Sequence, residues 1–559
     1  MFSNILTAAI CGMDASIVHA EVDVSHGLPG FLMVGYLGSE VREATERVRV
    51  ALKNTGITLP PMRITVNLSP ADIRKSGTSF DLPVAVGILQ ALGHVEEKET
   101  EKVMFAGELS LDGEVNEIRG VLPIVRMAGE RGIKRCIVPW ENEKEGAWIP
   151  NMEVIGVSSL KEVIELLRGR DREEGNGGKR NGDRAGTKGG QKDGNAKERG
   201  RTETDAGKGG KRERKKQESH SEYILRAAAR QPGKGEGGLD FAQVRGQVGA
   251  KRAAEIAAAG FHNLLLIGPP GAGKTMIAKR ISGILPLLTK EECLEVSSIY
   301  SISGLLNRRN SFISTRPFLS PHHTITAQAL SGGGAYPRPG VISLAHKGIL
   351  FLDEMPEFGS TALDMLRQPL EEKTIQIVRL GGSYEYPADF MLVGAMNPCP
   401  CGYYPDMERC RCTQTAIRKY QNRLSGPVLD RIDICAEVPP LTMEELEEGG
   451  RERQEGQETS ADIRSRVLQA REMQRRRGSG KCNAALTLEE TREFCRLDKD
   501  GKELLEKAFG KMKLSARAYS RILKVARTIA DLDGSETALK KHLAEAISCR
   551  VASGGYWER

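Results

Sequence analysis

The sequence predicts an α/β protein in which two regions of short buried strands and helices precede a helical C-terminal region. Two observations indicate this organisation. Short apolar runs alternate with helical patterns, and glycine, proline or acidic residues bound most of these runs. The length of 559 residues also leaves room for three or four domains of ~150 residues each.

The N-terminal unit, residues 1–168, has an α/β or α+β pattern. Its apolar runs and alternating residues predict strands, and two longer patterns predict helices, the second almost wholly apolar. The predicted strands are 15–24, 31–37, 63–68 and 134–139. The predicted helices are 41–56, which ends at Gly56, and 82–93.

Residues 169–220 form a low-complexity segment between this unit and the rest of the chain. The 52 residues include 16 Lys or Arg, 10 Asp or Glu and 13 Gly, and no Ile, Leu, Val, Met, Phe, Tyr, Trp or Cys. Such a segment cannot bury enough apolar surface to offset its ordering entropy, so we predict a disordered linker. It is either a passive tether, which its mixed charges favour, or a basic tail that weakly holds nucleic acid.

The linker also carries most of the formal net charge of +7. The other parts are nearly neutral together, so bulk charge gives no reason to expect DNA binding. No apolar stretch approaches the ~20 residues of a membrane span, and the start MFSNILTAAICG lacks the basic segment of a secretory signal. We therefore expect a cytoplasmic protein with no membrane partner.

The larger unit, residues 221–440, has the pattern of a mostly parallel sheet covered by helices on both faces. Its predicted strands are 264–268, 349–353 and 391–396. An acidic stretch at 441–460 predicts a second linker. Residues 461–559 are helical in pattern and include the repeated i, i+3, i+4 apolar spacing of AYSRILKVARTIADL.

A complete P-loop follows the strand LLLIG and opens a predicted helix. Its glycines allow backbone N–H groups to face bound phosphates, the lysine supplies a positive charge, and the threonine hydroxyl is a Mg²⁺ ligand. The nucleotide-binding residues are Gly268, Pro269, Pro270, Gly271, Ala272, Gly273, Lys274 and Thr275. Strand and helix flank the motif as a P-loop requires, so a chance glycine turn is disfavoured.

Polar residues at the ends of two further strands extend this site. Asp353 follows the strand ILFL and is placed to hold Mg²⁺, while Glu354 is placed to polarise the attacking water. Asn397 follows MLVGAM, where an amide can orient that water or simply form a turn. Arg431 precedes another strand; it either reaches a phosphate across a subunit boundary or forms a surface ion pair with Asp430 or Asp433.

Four of the eleven cysteines lie within fourteen residues, in a CxC…CxC pattern. Four thiolates can enclose a structural Zn²⁺ tetrahedrally, which predicts a zinc site at Cys399, Cys401, Cys410 and Cys412. Four reduced, partly buried cysteines are the alternative. Disulfides fit poorly with a cytoplasmic protein.

These motifs together resemble the magnesium-chelatase-like AAA+ ATPases of the competence-protein (ComM/YifB) type. The resemblance rests on GPPGAGKT, RPFLSPHHTITAQALSGGG, PRPGVISLAHKGILFLDEMPEF, VGAMNPCPCGYY, RLSGPVLDRIDI and LSARAYSRILKVARTIADL, and it covers nearly the whole chain outside 169–220. It implies that Lys274 and Thr275 belong to Walker A, that Asp353 and Glu354 form Walker B, and that Asn397 is sensor 1. ATP and Mg²⁺ are the implied cofactors.

The resemblance also implies an assembly and a lid. Arg431 would be an arginine finger acting on a neighbouring subunit, and Arg517 would be sensor 2 on a C-terminal helical lid. A finger of this kind implies a ring, with a homo-hexamer expected.

Two segments resemble the additions of this AAA+ branch to the basic fold. Residues 316–340 resemble a helix-2 insert and residues 374–390 a presensor-1 hairpin. Arg338, Lys347 and Arg379 are candidate DNA-phosphate contacts there, although both segments could be purely structural. The neighbouring His322 and His323 are interpreted as polar loop residues rather than metal ligands.

The N-terminal unit resembles the α+β Lon-protease domain, which can use a Ser–Lys pair. Ser79 is interpreted as the residue at the nucleophile position, and Leu122 stands where the lysine would be. We therefore expect a non-proteolytic scaffold. Lys75 is close to Ser79 in the sequence and is the alternative base, but no other feature of the sequence supports that role.

The leading hypothesis is an ATP-hydrolysing ring motor that acts on single-stranded or branched DNA, as a branch-migration helicase in recombination or natural transformation. The second is the ATPase subunit of a magnesium chelatase, which would insert Mg²⁺ into a tetrapyrrole. An ATP-dependent protease is the third and is disfavoured by Leu122.

Overall fold

The computed structural model describes residues 1–168, 239–334, 337–379, 382–440, 458–478, 480–512 and 515–557. The predicted linker at 169–220 lies outside these residues. So does most of the predicted acidic linker, of which only residues 458–460 are described.

The N-terminal domain is built on a mixed seven-stranded sheet in the order β3-β4-β2-β1-β5-β8-β9. β1 pairs antiparallel with β2 and parallel with β5, so it joins a mixed half of the sheet, in which β3 and β4 are parallel, to a fully parallel half. The strands of this domain are β1 (Phe2–Cys11), β2 (Asp14–Ser25), β3 (Gly30–Val34), β4 (Arg63–Ser69), β5 (Val103–Phe105), β6 (Glu108–Leu109), β7 (Val115–Asn116), β8 (Arg135–Pro139) and β9 (Glu153–Val157).

Six helices of the described chain cover this sheet. α2 is buried along nearly its whole length, as its apolar sequence predicts, and it packs against the strands in one core with α1. The helices are α1 (Ser39–Asn54), α2 (Asp81–Ala91), α3 (Glu97–Thr100), α4 (Val121–Glu130), α5 (Glu143–Gly146) and α6 (Leu160–Leu167).

The central domain contains a five-stranded parallel sheet in the order β11-β14-β17-β10-β18. Fully apolar strands at its centre are buried on both faces, as expected for a parallel sheet covered by helices. These strands are β10 (Leu264–Ile267), β11 (Phe318–Leu319), β14 (Ile349–Leu352), β17 (Met391–Met396) and β18 (Ile434–Glu437). The predicted α/β class is therefore confirmed.

Two small antiparallel ribbons belong to this domain. The sequence resembling a presensor-1 hairpin forms β15 and β16, which pair from Thr374–Pro387 to Arg379–Gly382. The ribbons are β12 (Gly332–Gly333) with β13 (Arg338–Pro339), and β15 (Thr374–Arg379) with β16 (Gly382–Pro387).

The central helices lie on both faces of the parallel sheet. They are α7 (Val248–Gly260), α8 (Lys274–Ile284), α9 (Lys290–Ser303), α10 (Ala327–Ser331), α11 (Val341–Leu344), α12 (Ser360–Asp364), α13 (Arg367–Glu372), α14 (Gln414–Gln421) and α15 (Gly426–Leu429).

The C-terminal helices share a hydrophobic core with one face of the parallel sheet. Ile463, Val467 and Ile529 lie in the same buried cluster as Leu264 and Phe351. The helices are α16 (Ser460–Arg476), α17 (Leu488–Phe494), α18 (Lys499–Met512), α19 (Ala516–Leu532) and α20 (Lys540–Trp557). None of the helices that the structure describes is both long and apolar enough to cross a membrane.

A buried polar network joins the N-terminal domain to α9 of the central domain. Glu145 accepts hydrogen bonds from Asn142 Nδ2 and the Leu122 backbone N–H, both at 3.0 Å, and from the Ser301 hydroxyl. The backbone N–H of Gly120 also donates to the Ser301 carbonyl at 3.1 Å. The two domains are therefore held by directional bonds as well as by apolar contact.

Candidate nucleotide-binding site

The P-loop lies between β10 and α8, where the sequence places it. Gly271 and Gly273 have positive φ angles of 78° and 93°, a conformation that glycine adopts without the Cβ clash of other residues. Lys274 is buried and its ammonium donates to the carbonyls of Gly268 at 2.7 Å and Pro269 at 2.9 Å. Burial lowers the pKa of Lys274, and Asp353 opposes that shift.

Asp353 and Thr275 meet at the same edge of the sheet. The Thr275 hydroxyl donates to Asp353 Oδ2 at 2.8 Å, although 78 residues separate them. The carboxyl ends of parallel strands share one edge, which explains the convergence. A hydroxyl and a carboxylate in contact are suitable oxygen ligands for Mg²⁺, directly or through water.

Asn397 completes this group from the end of β17. Its Oδ1 accepts a hydrogen bond from Lys274 Nζ at 3.0 Å. β17 lies between β10 and β14, so the side chain that follows it reaches both the P-loop and the acidic pair. Four residues predicted from three separate motifs are thus in direct contact as two pairs, Lys274 with Asn397 and Thr275 with Asp353.

Glu354 stands apart from these contacts and faces solvent. Its φ of 49° lies in the left-handed region, which costs a non-glycine residue of the order of 1 kcal/mol and often marks a functional site. Its Oε2 lies 3.9 Å from Nδ1 of His323. The sequence interpretation treated His323 as a loop residue, and only the fold brings it beside the predicted water-polarising carboxylate.

Arg431 is almost fully buried and each of its guanidinium nitrogens has an acceptor in the same chain. Nε donates to the Arg367 carbonyl at 3.0 Å and Nη1 to the Pro427 carbonyl at 2.6 Å, while Nη2 lies 2.8 Å from Glu371 Oε2. The ion-pair alternative named Asp430 or Asp433, and the structure pairs Arg431 with Glu371 instead.

Arg517 approaches the same carboxylate from the C-terminal helices. It lies in the first turn of α19, its side chain is 60% exposed, and its Nη1 is 3.3 Å from Glu371 Oε1. The structure therefore groups the predicted finger and the predicted sensor 2 around one carboxylate of α13.

The four cysteines form a compact cluster directly after Asn397. Their sulfur atoms all lie within 4.8 Å of one another, with Cys399 3.3 Å from Cys401 and 3.8 Å from Cys410. Sulfurs bound tetrahedrally at about 2.3 Å from Zn²⁺ lie about 3.8 Å apart, so this donor set fits the ion. A backbone hydrogen bond from Tyr403 lowers the pKa of Cys401 to about 6, whereas hydrogen bonds and charges of the neighbouring sulfurs raise the pKa of Cys410 and of Cys412.

The residues predicted by resemblance to a Ser–Lys site are not assembled into one. Leu122 is fully buried in the first turn of α4, within the cluster between α4 and the parallel half of the sheet. Ser79 precedes α2, and its carbonyl accepts the Gly107 N–H at 3.0 Å. The Lys75 ammonium donates to the Pro70 carbonyl.

Comparison with known proteins identifies the family of the chain. It is 40% identical over 548 residues to the competence protein ComM of Haemophilus influenzae, an alignment that covers 98% of this chain and 97% of that protein. The chain belongs to the ComM/YifB family of magnesium-chelatase-like proteins. The family resemblance predicted from the sequence is thereby confirmed, and membership places the central domain among the AAA+ ATPases, which use ATP and Mg²⁺.

Further matches agree with this ComM/YifB assignment. The Escherichia coli protein YifB is 39% identical over 552 residues, covering 98% of this chain and 97% of that one. Family descriptions of magnesium chelatase subunit ChlI match residues 20–142 and 240–446, and its C-terminal description matches 457–550. Lon protease 2 of Bacillus subtilis is 31% identical over 171 residues, 29% of this chain and 30% of that one.

Proposed function

We propose that this ComM/YifB protein is an ATP-hydrolysing ring motor that acts on DNA, as a branch-migration helicase in recombination or natural transformation. The observation that carries the ATPase part is the contact of Lys274 with Asn397 and of Thr275 with Asp353 at one edge of the sheet. A lysine, two oxygen ligands and an amide at this position are the set needed to bind and orient a nucleoside triphosphate.

In the proposed hydrolysis, each side chain has a separate task. Lys274 exchanges its loop carbonyls for the β- and γ-phosphates, and Thr275 and Asp353 hold Mg²⁺, which supplies positive charge to the phosphate oxygens. Asn397 and Glu354 orient and polarise the attacking water. Glu354 faces solvent and is therefore accessible to a water molecule beside the γ-phosphate.

We propose a homo-hexamer in which Arg431 completes the site of a neighbouring subunit. Its guanidinium would leave Glu371 for the γ-phosphate, exchanging one anionic partner for another. This exchange keeps the charge of Arg431 paired throughout, because an unpaired guanidinium with so little exposure would be costly.

The proposed DNA contacts lie on the insert and the β15–β16 hairpin. The Arg379 guanidinium packs against Gly333 of the insert. A Cβ added at Gly333 would lie 2.9 Å from Arg379 Nη2, so the hairpin arginine and the insert are in close contact. Burial lowers the pKa of Arg338, and the nearby Arg119 of the N-terminal domain adds to this effect. Lys347, the third candidate, is already paired with Asp389 at 3.0 Å, so the proposal rests on Arg338 and Arg379.

The deciding experiment measures the ATPase rate with four-way, single-stranded and duplex DNA and without DNA. We expect the four-way junction to stimulate the rate most, and Arg379→Ala to reduce stimulation without changing the DNA-free rate. Arg49→Ala is a matched control, because Arg49 is an exposed arginine paired with Glu46 on α1 of the N-terminal domain. An ATPase that no DNA stimulates or binds would contradict the DNA motor.

The chelatase alternative remains the second candidate because the matched family descriptions name magnesium chelatase. A porphyrin substrate with its partner subunits would then stimulate the ATPase, and DNA would not. The protease alternative predicts cleavage of casein, which we do not expect because the position assigned to the lysine holds the buried Leu122.

We also propose that the four-cysteine cluster binds one structural Zn²⁺. The convergence of four sulfur atoms within 4.8 Å supports this, as does the partial burial of the cluster. Metal analysis of the purified full-length chain tests it, and we expect about one zinc per chain. A chain that contains no zinc, and takes up none when refilled, would contradict the site.

A further inference from the structure

The four-cysteine cluster lies directly against the P-loop. Gly402 sits between Cys401 and Cys410 with a φ of 87°, and a Cβ added there would come within 2.4 Å of Pro270 Cδ and 2.9 Å of Pro270 Cγ. The loop backbone and the Pro270 ring are therefore in close contact. A change in the path of this loop therefore changes the contact of Gly402 with Pro270 of the P-loop.

The same loop is anchored at its start to the candidate nucleotide site. It begins immediately after Asn397, whose Oδ1 accepts from Lys274. The Pro398 carbonyl then accepts a hydrogen bond from Gln421 Nε2 at 3.0 Å, and Gln421 is buried at the end of α14. The hydrogen bond between Gln421 and Pro398 therefore joins the two ends of segment 398–421, which forms a closed loop beside the P-loop.

Cysteine sulfur atoms form the contacts inside this loop. Cys399 Sγ accepts from the backbone N–H groups of Gly402 at 3.2 Å and Tyr404 at 3.4 Å. The apolar cluster formed by this segment is small and consists of Cys399, Cys410 and Ile417, with Cys401, Tyr404 and Cys412 packed against it. A cluster of this size gives little hydrophobic stabilisation, so metal ligation would be the main force fixing Gly402 in place.

We propose that Zn²⁺ bound by the four cysteines positions the ATP site, through the contact of Gly402 with Pro270 and the chain connection to Asn397. This inference rests on the proposed nucleotide binding and the proposed zinc site, and it adds a consequence to them. Without the ion, the segment loosens, Pro270 and Asn397 lose their support, and the P-loop binds ATP more weakly. The cluster is then a positioning element of the nucleotide site rather than a separate module.

The test measures the affinity of the full-length chain for a fluorescent ATP analogue and its zinc content in parallel. We expect Cys401→Ser/Cys412→Ser to lose zinc and to bind the analogue about tenfold more weakly, as a misplacement of about 1 Å in a binding site can cause. Cys11→Ser is the matched control, because Cys11 lies at the exposed end of β1 in the N-terminal domain. It should keep both zinc and affinity.

A second measurement covers the case in which the double variant does not fold. Zinc is removed from the wild-type chain with a chelator and then restored, and affinity should fall and recover. In Pro270→Ala, which lacks the ring atoms that contact Gly402, removing zinc should lower affinity by less than in the wild type, because only the chain connection to Asn397 then remains.

The outcomes separate this inference from the proposals beneath it. If the zinc-loaded chain binds no ATP analogue, nucleotide binding itself is wrong. If the chain holds no zinc, the metal site is wrong and the inference falls with it. If zinc-depleted, folded chain binds the analogue as tightly as the loaded chain, only the positioning role is overturned.

Discussion

The carboxylate of Glu371 lies 2.8 Å from the guanidinium of Arg431, in the short helix α13 that also supplies a carbonyl acceptor to the same arginine. Its second oxygen lies 3.3 Å from Arg517 of α19. One acidic side chain thus pairs with two arginines from different parts of the chain. A phosphate of a neighbouring nucleotide would offer both arginines the same kind of partner.

This arrangement predicts that Glu371 competes with phosphate for Arg431. Glu371→Gln keeps the side-chain shape but removes the charge. We expect ATP turnover in the assembled protein to rise about two- to tenfold, because replacing a charge-assisted hydrogen bond by a neutral one weakens the contact by about 1 kcal/mol. Steady-state ATPase assays check this. Glu372→Gln is the control, since Glu372 accepts from Gln368 and not from either arginine.

The opposite result would assign Glu371 a different role. If Glu371→Gln turns over ATP as slowly as Arg431→Ala, then the carboxylate holds Arg431 in its active position instead of restraining it. Arg431→Ala itself should nearly abolish turnover with ATP binding retained. A normal rate in that variant would remove Arg431 from the mechanism.

Glu354→Gln should bind ATP normally and lose turnover by at least about 100-fold, because an amide cannot act as the base that polarises water. A fluorescent ATP analogue measures binding and phosphate release measures turnover. Glu357→Gln serves as the comparison, since Glu357 is a nearby acidic residue paired with Arg423 at 2.6 Å. Retained hydrolysis in Glu354→Gln would refute the assignment.

His323→Ala should lower turnover about three- to tenfold and leave ATP affinity unchanged. The imidazole lies 3.9 Å from the exposed Glu354 carboxylate, whose backbone is left-handed, and we expect it to limit the positions that this carboxylate can take. His323→Asn restores a hydrogen-bond donor and should recover part of the loss. Equal rates for wild type and His323→Ala would leave His323 as a loop residue without a catalytic effect.

Glu145 predicts a pH dependence of stability at the contact between the N-terminal and central domains. Burial raises its pKa above the ordinary value of 4.5, and hydrogen bonds from Ser301, Asn142 and Leu122 oppose that rise. The folded chain therefore binds this proton more tightly than the unfolded chain. The contribution of Glu145 to stability is full below about pH 4.5 and is lost as pH rises through the raised pKa.

Thermal unfolding of the wild type and Glu145→Gln between pH 4 and pH 8 measures this contribution. The glutamine variant cannot ionise, so its melting temperature should fall less with rising pH than that of the wild type. Glu143→Gln is the control, because Glu143 is partly exposed and pairs with Arg308 at 3.3 Å. Parallel curves for wild type and Glu145→Gln would contradict the effect.

Elements with strong local patterns were predicted well from the sequence. Strand 264–268 appears as β10 (Leu264–Ile267), and the apolar helix 82–93 as α2 (Asp81–Ala91). The N-terminal strand β1 was missed, because its sequence was considered only as a targeting segment. It occupies a central position in the sheet, between β2 and β5, which no local pattern in the sequence specifies.

The sequence by itself determined the family and the α/β class and supplied the residues of the candidate nucleotide site, because those depend on residue types at fixed short spacings. Only the tertiary structure decided that Glu371 pairs with Arg431, that His323 faces Glu354 and that Gly402 contacts Pro270. The partners in each pair are far apart along the chain. Their proximity follows from how the strands order in the sheet and how the loops at its edge pack, which is a property of the whole fold.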